Sequence, residues 1–455
     1  MSLSSLSLTL SPLDNRYYKD VMPLIPYFSY QAWIKYRVLV EVCYLSMLRE
    51  TLNEINISEE KISEWNNIMN DFGEQEVNEI LEIEKTTHHD IKAIEIWLRK
   101  QYQKLEIGDP KYIEFIHFGL TSQDINSVAF SLQFKNSIEF FLTDELKKVC
   151  TKISNLGDEW IDIPMLALTH GQPAVPTTLG KEFRVFVTRL FFNVGELRRA
   201  KYITKFGGAV GNLNAHYATY PDLDWENIMN TFINKLNLAR WDYTTQITNY
   251  DDIAHICNIL KQINMVLIDL CQDIWLYVSR NYFNIRKENP DQVGSSTMPQ
   301  KVNPINFENA EGNLKMANCG LSFIAEKLPV SRLQRDLTDS TVLRNIGTYL
   351  GHIAVALNNI MKGLNKLSPN LEIISTDLEK HPEILGEAVQ CIFRKYGVSN
   401  GYNIVRMATQ NIKFKSEESF LVKILEVCRR ENVPNDAIKD IQVLVVNKYI
   451  GKVKK

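Results

Sequence analysis

The stretch from Asp251 to Arg280, which reads DDIAHICNILKQINMVLIDLCQDIWLYVSR, decides the fold class of this chain. Apolar residues recur along it at alternating steps of three and four, so they share one face of a helix of about eight turns. That face is formed by Ile253, Ile256, Leu260, Ile263, Leu267, Leu270, Ile274 and Tyr277. Because Met265 and Trp275 add apolar surface on other faces, the pattern predicts a helix buried inside a bundle.

Helical periodicity also marks other long segments of the chain. It predicts further helices at about residues 178–203, 306–328 and 340–364. No series of alternating strands accompanies them, which disfavours a doubly wound or β architecture. The expected fold class is therefore all-α.

Turn-forming residues suggest where the domains meet. They lie at Gly108-Asp109-Pro110 and at Leu367-Ser368-Pro369. We therefore expect an N-terminal helical domain at residues 1–111, a central long-helix bundle at 112–366 and a C-terminal helical domain at 367–455.

Charge and hydropathy narrow the classes of partner. The net charge is −3 and the isoelectric point about 6.3, without the basic excess of a nucleic-acid-binding protein. No uncharged apolar run approaches the ~18 residues of a membrane helix, and the N-terminus lacks the basic segment of a secretory signal. We expect no nucleic-acid partner, no membrane association and a cytoplasmic location.

The cysteines and histidines show no metal-binding pattern. The sequence contains no CxxC pair, no HExxH motif and no Cys/His cluster at zinc spacing. Seven cysteines at wide spacings predict buried, reduced thiols rather than a disulfide framework. We therefore expect no metal site.

One segment interrupts the helical pattern. Residues 289–304 read NPDQVGSSTMPQKVNP, with three prolines between two long predicted helices. Long irregular segments inside a compact domain are often lids or binding loops, although composition alone equally allows a plain linker. Ser295, Ser296, Lys301 and Asn303 make this loop chemically interesting, because a lysine places positive charge beside a carboxylate. A serine acts as a base only where its alkoxide is stabilised.

Part of this loop, GSSTMPQKVNP at residues 294–304, resembles the signature loop of the fumarase/aspartase superfamily. Other segments, in the same order along the chain, resemble the adenylosuccinate lyase family, especially its bacterial form. These segments are Leu10–Tyr17 (LSPLDNRY), Thr86–Ala93 (TTHHDIKA), Phe115–Asp124 (FIHFGLTSQD), Thr169–Pro173 (THGQP), Gly208–Asn212 (GAVGN), Tyr243–Gln246 (YTTQ) and Ser331–Arg344 (SRLQRDLTDSTVLR).

The resemblance implies a fold and a reaction. The fold is an all-α, three-domain structure that forms a homotetramer around a central helical bundle, with active sites shared between subunits. The reaction is a β-elimination in purine biosynthesis that releases fumarate from adenylosuccinate or from succinyl-aminoimidazole-carboxamide ribotide. Because proton transfer and electrostatics suffice for this chemistry, no cofactor is expected.

The resemblance also implies the two proton-transfer roles. His170 becomes the general acid that protonates the departing nitrogen, a role suited to a side chain that titrates near neutral pH. Ser295 becomes the base that takes the proton from the succinyl Cβ. We prefer Ser295 to Ser296, which resembles the substrate-binding serine of the pair, but the sequence leaves that choice open.

The remaining site residues are expected to bind the nucleotide substrate. The succinyl carboxylates are expected to be bound by Lys301, Asn303, Thr121 and Ser122. The nucleotide and its phosphate are expected to be bound by Arg16, Tyr17, Arg335, Ser340 and Arg344. Arginine suits a phosphate because its planar guanidinium can donate two hydrogen bonds at once. The site is lined further by His88, His89, Asp90 and Gln246, with His89 as a candidate helper of His170.

Two positions depart from the family pattern. Residue 300 is Gln where the family often carries His, and residue 88 is His where the bacterial form often carries Asn. Gln at the first position also occurs in argininosuccinate lyase, so another fumarate-releasing lyase is one alternative. A second alternative is a non-catalytic, crystallin-like oligomer. Phosphate-binding arginines argue against the first alternative, and retention of the catalytic residue types argues against the second.

Overall fold

The computed structural model describes residues 9–287, 298 and 300–453, and helices dominate them. The helices before residue 200 are α1 (Tyr18–Val21), α2 (Ile25–Phe28), α3 (Tyr30–Thr51), α4 (Glu59–Asn67), α5 (Glu74–Thr87), α6 (Asp90–Lys104), α7 (Ser122–Ser137), α8 (Thr143–Glu159) and α9 (Leu179–Arg199). The later helices are α10 (Asn214–Thr219), α11 (Trp225–Lys235), α12 (Asp251–Ser279), α13 (Ile305–Lys327), α14 (Thr338–Leu343), α15 (Ile346–Lys366), α16 (Leu371–Glu379), α17 (Gly386–Lys395), α18 (Gly401–Thr409), α19 (Glu417–Arg430) and α20 (Asn435–Gln442).

Short strand pairs accompany these helices. The antiparallel pairs are β1 (Pro164–Thr169) with β2 (Gln172–Thr178) and β5 (Phe283–Ile285) with β6 (Leu367–Pro369), and the parallel pair is β3 (Ile203–Thr204) with β4 (Ala239–Arg240). The strands are few and short, so the all-α prediction is confirmed. The β1–β2 hairpin was not predicted, because β2 carries two prolines, which obscure strand alternation.

The long predicted helices are present with small shifts at their ends. Helices α9, α12 and α13 match the predicted segments to within a few residues. The predicted helix at 340–364 is wrong at its start, because α14 ends at Leu343 and α15 begins only at Ile346. At this break the side chain of Asn345 donates to the carbonyl oxygen of Thr341, and such local bonds compete with helix continuation.

Helix α12 is buried along its predicted apolar face. Seven residues of the face are at most 1% exposed, and only Tyr277 is half-buried. On its other faces Met265 and Trp275 are 54% and 44% exposed within this chain. The helix is long and apolar enough to span a membrane by composition, but a buried core helix passes the same test.

The chain folds into two compact units, each built from three segments. The first unit comprises Met1–Leu146, Asn193–Met265 and Gly312–Asn358, and the second comprises Lys147–Phe192, Val266–Glu311 and Asn359–Lys455. The division into three consecutive domains at residues 1–111, 112–366 and 367–455 stays a prediction.

Each unit has an aromatic or aliphatic core. In the first unit, the Tyr44 ring meets Phe206 and Phe232 edge-on, with ring centroids 5.4 and 5.8 Å apart. In the second unit, Leu166 of β1 belongs to a buried cluster that includes Phe393 and Phe420.

All seven cysteines are free, as predicted. Cys319 and Cys391 are exposed, so the expectation that every thiol is buried was wrong.

Candidate active site

The N-terminus of α7 presents two of the predicted carboxylate-binding residues. Thr121 is the N-cap and Ser122 the first helical residue, and both are half-buried. The carboxylate of Asp124 accepts a hydrogen bond from the Thr121 N–H at 2.8 Å, so a capping box fixes this turn. Helix N-termini favour anions, which agrees with the predicted role of the two hydroxyl groups.

His89 lies within reach of Ser122. The His89 Nε2 and Ser122 Oγ atoms are 3.4 Å apart, and the His89 side chain is 52% exposed. His89 is also the N-cap of α6, where its Nδ1 accepts a hydrogen bond from the Lys92 N–H at 3.2 Å. A neutral imidazole that accepts at Nδ1 carries its proton on Nε2, so His89 donates toward Ser122 and toward a ligand beside it.

The neighbours of His89 have separate structural duties. His88 ends α5 in the left-handed conformation, with a φ of 49°. Asp90 pairs with Arg37, whose Nη2 lies 3.1 Å from the Asp90 Oδ2. Burial lowers the pKa of Arg37, and the carboxylate of Asp90 opposes that effect.

Arg37 was missed by the sequence analysis. It is 6% exposed, and its Nε atom has no hydrogen-bond partner within the part of the chain that the structure describes. A cavity joins Arg37 to Ser340 and Arg344, two of the predicted phosphate contacts. No sequence signal distinguishes this arginine from other charged residues of an amphipathic helix.

A buried carboxylate holds the Ser340 segment in place. Asp339 accepts hydrogen bonds from the Tyr250 hydroxyl at 2.8 Å and from the Ser340 N–H at 2.7 Å. Burial raises the pKa of Tyr250 well above its usual range, and the nearby Asp339 carboxylate adds to this effect. Tyr250 therefore remains a neutral donor, and Asp339 anchors the start of α14.

Gln246 and Arg335, two of the predicted site residues, are hydrogen-bonded to each other. The Arg335 Nη1 donates to the Gln246 Oε1 at 3.0 Å, and the Gln246 N–H donates to the Gln334 carbonyl oxygen at 3.2 Å. These bonds join the segment Tyr243–Gln246 to the segment Ser331–Arg344.

The N-terminal pair Arg16 and Tyr17 lies on the first unit. Arg16 is exposed, and its guanidinium carbon is 6.0 Å from the centre of the Tyr17 ring. Leu13 of the same segment is buried and lies beside Gly351 of α15, which anchors the segment.

The glycine-rich segment 207–211 forms a close-packed bend. Gly211 has a φ of 87°, and a Cβ atom there would lie 2.4 Å from the carbonyl oxygen of Thr244. Only glycine fits this approach.

A buried ion pair underlies this bend. The Lys205 Nζ is 2.6 Å from the Asp124 Oδ1, and both side chains are fully buried. Burial lowers the pKa of Lys205, and the carboxylate of Asp124 opposes the effect. Asp124 ends the segment Phe115–Asp124, but the resemblance assigns it no role. Nothing in the sequence marks Lys205 as its partner.

Two other histidines of the first unit are paired with buried side chains. His216 is fully buried, its Nε2 is 2.8 Å from the Tyr44 hydroxyl, and burial lowers its pKa to about 4. His117 is hydrogen-bonded to Glu41; burial opposes the charged form, but the Glu41 carboxylate outweighs it and raises the pKa of His117.

His170 belongs to the second unit, at the tip of the β1–β2 hairpin. Thr169 pairs with Gln172, which leaves His170 and Gly171 as the two turn residues, with φ values of 55° and 70°. Turns of this kind need positive φ at both central positions. The hairpin thereby presents the exposed imidazole at its tip.

The signature loop is described only at its end. Ser295 and Ser296 lie outside the described residues. Lys301 is exposed and Asn303 is half-buried, and the Lys301 N–H donates to the Met298 carbonyl oxygen at 3.0 Å. These residues, like His170, belong to the second unit, and their catalytic roles stay predictions.

The first unit therefore gathers groups suited to an anionic ligand. Thr121, Ser122 and His89 offer hydrogen-bond donors at one helix terminus, while Arg335 and Arg344 supply fixed positive charge. Such an arrangement can bind carboxylates and a phosphate without a metal ion or an organic cofactor.

Comparison with solved structures supports the fold class. The structure of a fumarate lyase from Mesorhizobium sp. BNC1 matches this chain with a TM-score of 0.72 at 17% sequence identity. The match covers 94% of this chain and 95% of that protein's chain. The 3-carboxy-cis,cis-muconate lactonizing enzyme from Pseudomonas putida gives a TM-score of 0.72 at 18% identity, covering 94% of each chain. These likenesses show that the chain shares the helical fold of these two enzymes.

Sequence comparison narrows the class to one family. Residues 23–318 match a lyase family model, and residues 331–450 match the model of the adenylosuccinate lyase C-terminal region. The adenylosuccinate lyase of Dictyostelium discoideum is 43% identical, covering 97% of this chain and 96% of its own length. That of Escherichia coli K12 is 39% identical, covering 92% and 91%. The chain belongs to the adenylosuccinate lyase family.

Proposed function

We propose that this protein cleaves adenylosuccinate to AMP and fumarate, and succinyl-aminoimidazole-carboxamide ribotide to its amine and fumarate, as a step of purine biosynthesis. The observation that carries the proposal is similarity along nearly the whole chain to relatives named adenylosuccinate lyase, at 36–43% identity. The cytoplasm is the proposed location.

The proposed reaction is a general acid/base β-elimination. The Ser295 alkoxide takes a proton from the succinyl Cβ, and the electron pair then forms the C=C bond of fumarate as the C–N bond breaks. His170 donates a proton to the departing nitrogen. Proton removal beside a carboxylate builds negative charge on that carboxylate, and Lys301 and Asn303 stabilise it together with Thr121 and Ser122.

The arginines support a nucleotide substrate. Arg335 is held by Gln246, and Arg344 lines the cavity that also contains Ser340 and the buried Arg37. A substrate without a phosphate, such as argininosuccinate, would leave this positive charge uncompensated. The nucleotide substrates are therefore favoured over the argininosuccinate alternative.

We also propose that the protein works as a homotetramer with shared active sites. Three long helices expose large apolar side chains, which in a soluble protein commonly mark an interface. They are Phe191 and Phe192 of α9, Met265, Trp275 and Leu276 of α12, and Met316 and Phe323 of α13, all at least 44% exposed.

The tetramer is tested by light scattering. We expect the wild type to have four times the mass of one chain, and Phe191→Glu with Phe192→Glu to yield smaller species. Met407→Glu is the control, because Met407 is 71% exposed on α18, a helix apart from the three that carry the proposed interface. A monomeric wild type would overturn the proposal.

The reaction is tested by the appearance of fumarate. Purified protein is offered adenylosuccinate, the succinylated ribotide and argininosuccinate in separate assays. We expect fumarate from the two nucleotides and none from argininosuccinate. If the protein releases no fumarate from either nucleotide, the proposed function is overturned. If it releases fumarate from argininosuccinate alone, the protein is an argininosuccinate lyase instead.

A further inference from the structure

The buried pair Asp124–Lys205 joins two segments of the first unit, the turn that begins α7 and the glycine-rich bend at 207–211. The Asp124 Oδ2 accepts the Thr121 N–H at 2.8 Å, and its Oδ1 accepts the Gly207 and Gly208 N–H groups at 2.8 and 3.1 Å. The Lys205 ammonium lies 2.6 Å from the same Oδ1 and donates to the Gly208 carbonyl oxygen at 2.5 Å. One carboxylate thus binds the turn before α7 to the glycine-rich bend.

The bend is itself packed against further site segments. A Cβ atom at Gly208 would lie 3.3 Å from the Gly119 carbonyl oxygen, in the turn that leads to Thr121. Gly211 approaches the Thr244 carbonyl oxygen, two residues before Gln246. A shift of the bend would therefore be transmitted to both Thr121 and Gln246.

Stability alone does not require such a pair. Moving two charges out of water is costly, and replacing a buried ion pair by uncharged groups is often neutral or stabilising. What the pair provides is direction: the Asp124 Oδ1 faces the Lys205 ammonium and the N–H groups of Gly207 and Gly208, while its Oδ2 faces the Thr121 N–H. An uncharged side chain cannot reproduce that set.

We propose that Asp124 is a positioning residue for the elimination, with Lys205 as its buried counter-charge. Asp124 holds the Thr121–Ser122 turn where its donors meet the carboxylate on which charge builds. This inference rests on the proposed function. Asp124 acts through the turn and the bend, and it takes no part in proton transfer.

The key test separates stability from turnover. Asp124→Asn leaves one acceptor oxygen and an unpaired buried ammonium, so we expect both a lower melting temperature and a loss in kcat. Adding Lys205→Met removes the unpaired charge and should restore most of the melting temperature. The double variant should nevertheless keep a roughly 10- to 100-fold loss in kcat, because a small misplacement of site groups is enough to cause it.

A matched control excludes a general effect of destabilisation. Ile424→Ala truncates a fully buried residue in the C-terminal cluster of the second unit. It should lower the melting temperature at least as much as the double variant does and leave kcat within about twofold. KM should change much less than kcat in the double variant, because the affected donors matter most where charge builds.

The outcomes are distinct. If kcat of the double variant recovers to within about threefold as its stability returns, the positioning role is overturned while the proposed function stands. If wild-type protein releases no fumarate from either nucleotide, the function and this inference fall together. If the double variant does not fold, Asp124→Asn alone decides: kcat per folded molecule should fall by about 10-fold or more, and a value within about threefold of the wild type overturns the assignment.

Discussion

His170 adopts a backbone conformation that few histidines adopt. Its φ of 55° belongs to the left-handed region, which is uncommon outside glycine and is tolerated best by Asn, Asp and His. Few residue types therefore fit this turn, and histidine, which can donate a proton, is one of them. A test of the catalytic role has to respect this constraint, or it will measure hairpin strain instead.

We expect His170→Asn to keep the hairpin and to lower kcat for adenylosuccinate by about 10²- to 10⁴-fold, the usual contribution of a general acid. Asn accepts the same φ, and so the melting temperature should change little. His381→Asn is the control, because His381 is partly buried and pairs only with Glu383 within the described residues. Turnover near that of the wild type in His170→Asn would remove the histidine from the mechanism.

The first turn of α12 contains a carboxyl group with a displaced pKa. Burial raises the pKa of Asp252 from 3.8 to about 6, and a hydrogen bond from the Ile203 N–H opposes the rise. The folded protein thus keeps this proton up to about pH 6, whereas the unfolded chain releases it near pH 4. Stability is therefore lost as the pH rises through this window.

At the scale of elements, Asp252→Asn should remove this pH dependence. Relative to the wild type, the variant should gain about 2 kcal/mol more at pH 7.5 than at pH 4.5, because Asn never ionises. The measurement is the free energy of unfolding at both pH values. Asp251→Asn is the control at the same helix end, since Asp251 is exposed. Equal effects of Asp252→Asn at both pH values would contradict the prediction.

Helices α8 and α9 approach each other through a pair of glycines. A Cβ atom at Gly180 would lie 2.1 Å from the Gly157 carbonyl oxygen and 2.4 Å from the Ile161 nitrogen. Both neighbours are backbone atoms, so relief requires movement of the chain itself.

Gly180→Ala should therefore destabilise the protein by about 3 kcal/mol, the upper end of ordinary overpacking effects. Gly312→Ala is the matched control, because Gly312 lies inside α13 with open space at its Cβ position. There alanine should stabilise the helix by roughly 0.5–1 kcal/mol. Urea unfolding of both variants measures the difference, and similar effects at the two positions would refute the packing argument.

At the scale of the whole molecule, the proposed tetramer predicts complementation. His170→Asn and Ser295→Ala each inactivate the site through a different residue. If each active site takes these residues from different subunits, mixed tetramers contain some sites with both residues intact. We expect fumarate production to return after subunits of the two variants are exchanged.

The control for complementation is His170→Asn taken alone through the same exchange procedure, which should stay inactive. Exchange is verified by mass spectrometry of tetramers that carry one tagged variant. No recovery in proven mixed tetramers would mean that both residues come from the same subunit.

The sequence by itself determined the class of this protein. The apolar periodicity of residues 251–280 predicted the long core helix, since local hydrophobic spacing dictates which face is buried. The motif segments predicted the family through their resemblance, in the same order along the chain, to those of known members. The contact between Gln246 and Arg335 joins two of these segments in the structure.

Only the tertiary structure decided which residues support the site. Arg37, Lys205 and Asp339 act through partners that are 53, 81 and 89 positions away, in Asp90, Asp124 and Tyr250. Nothing local marks such residues, because burial and pairing arise from long-range packing. The sequence identifies the groups that can carry out the chemistry, whereas the fold determines which buried charges and glycines hold those groups in place.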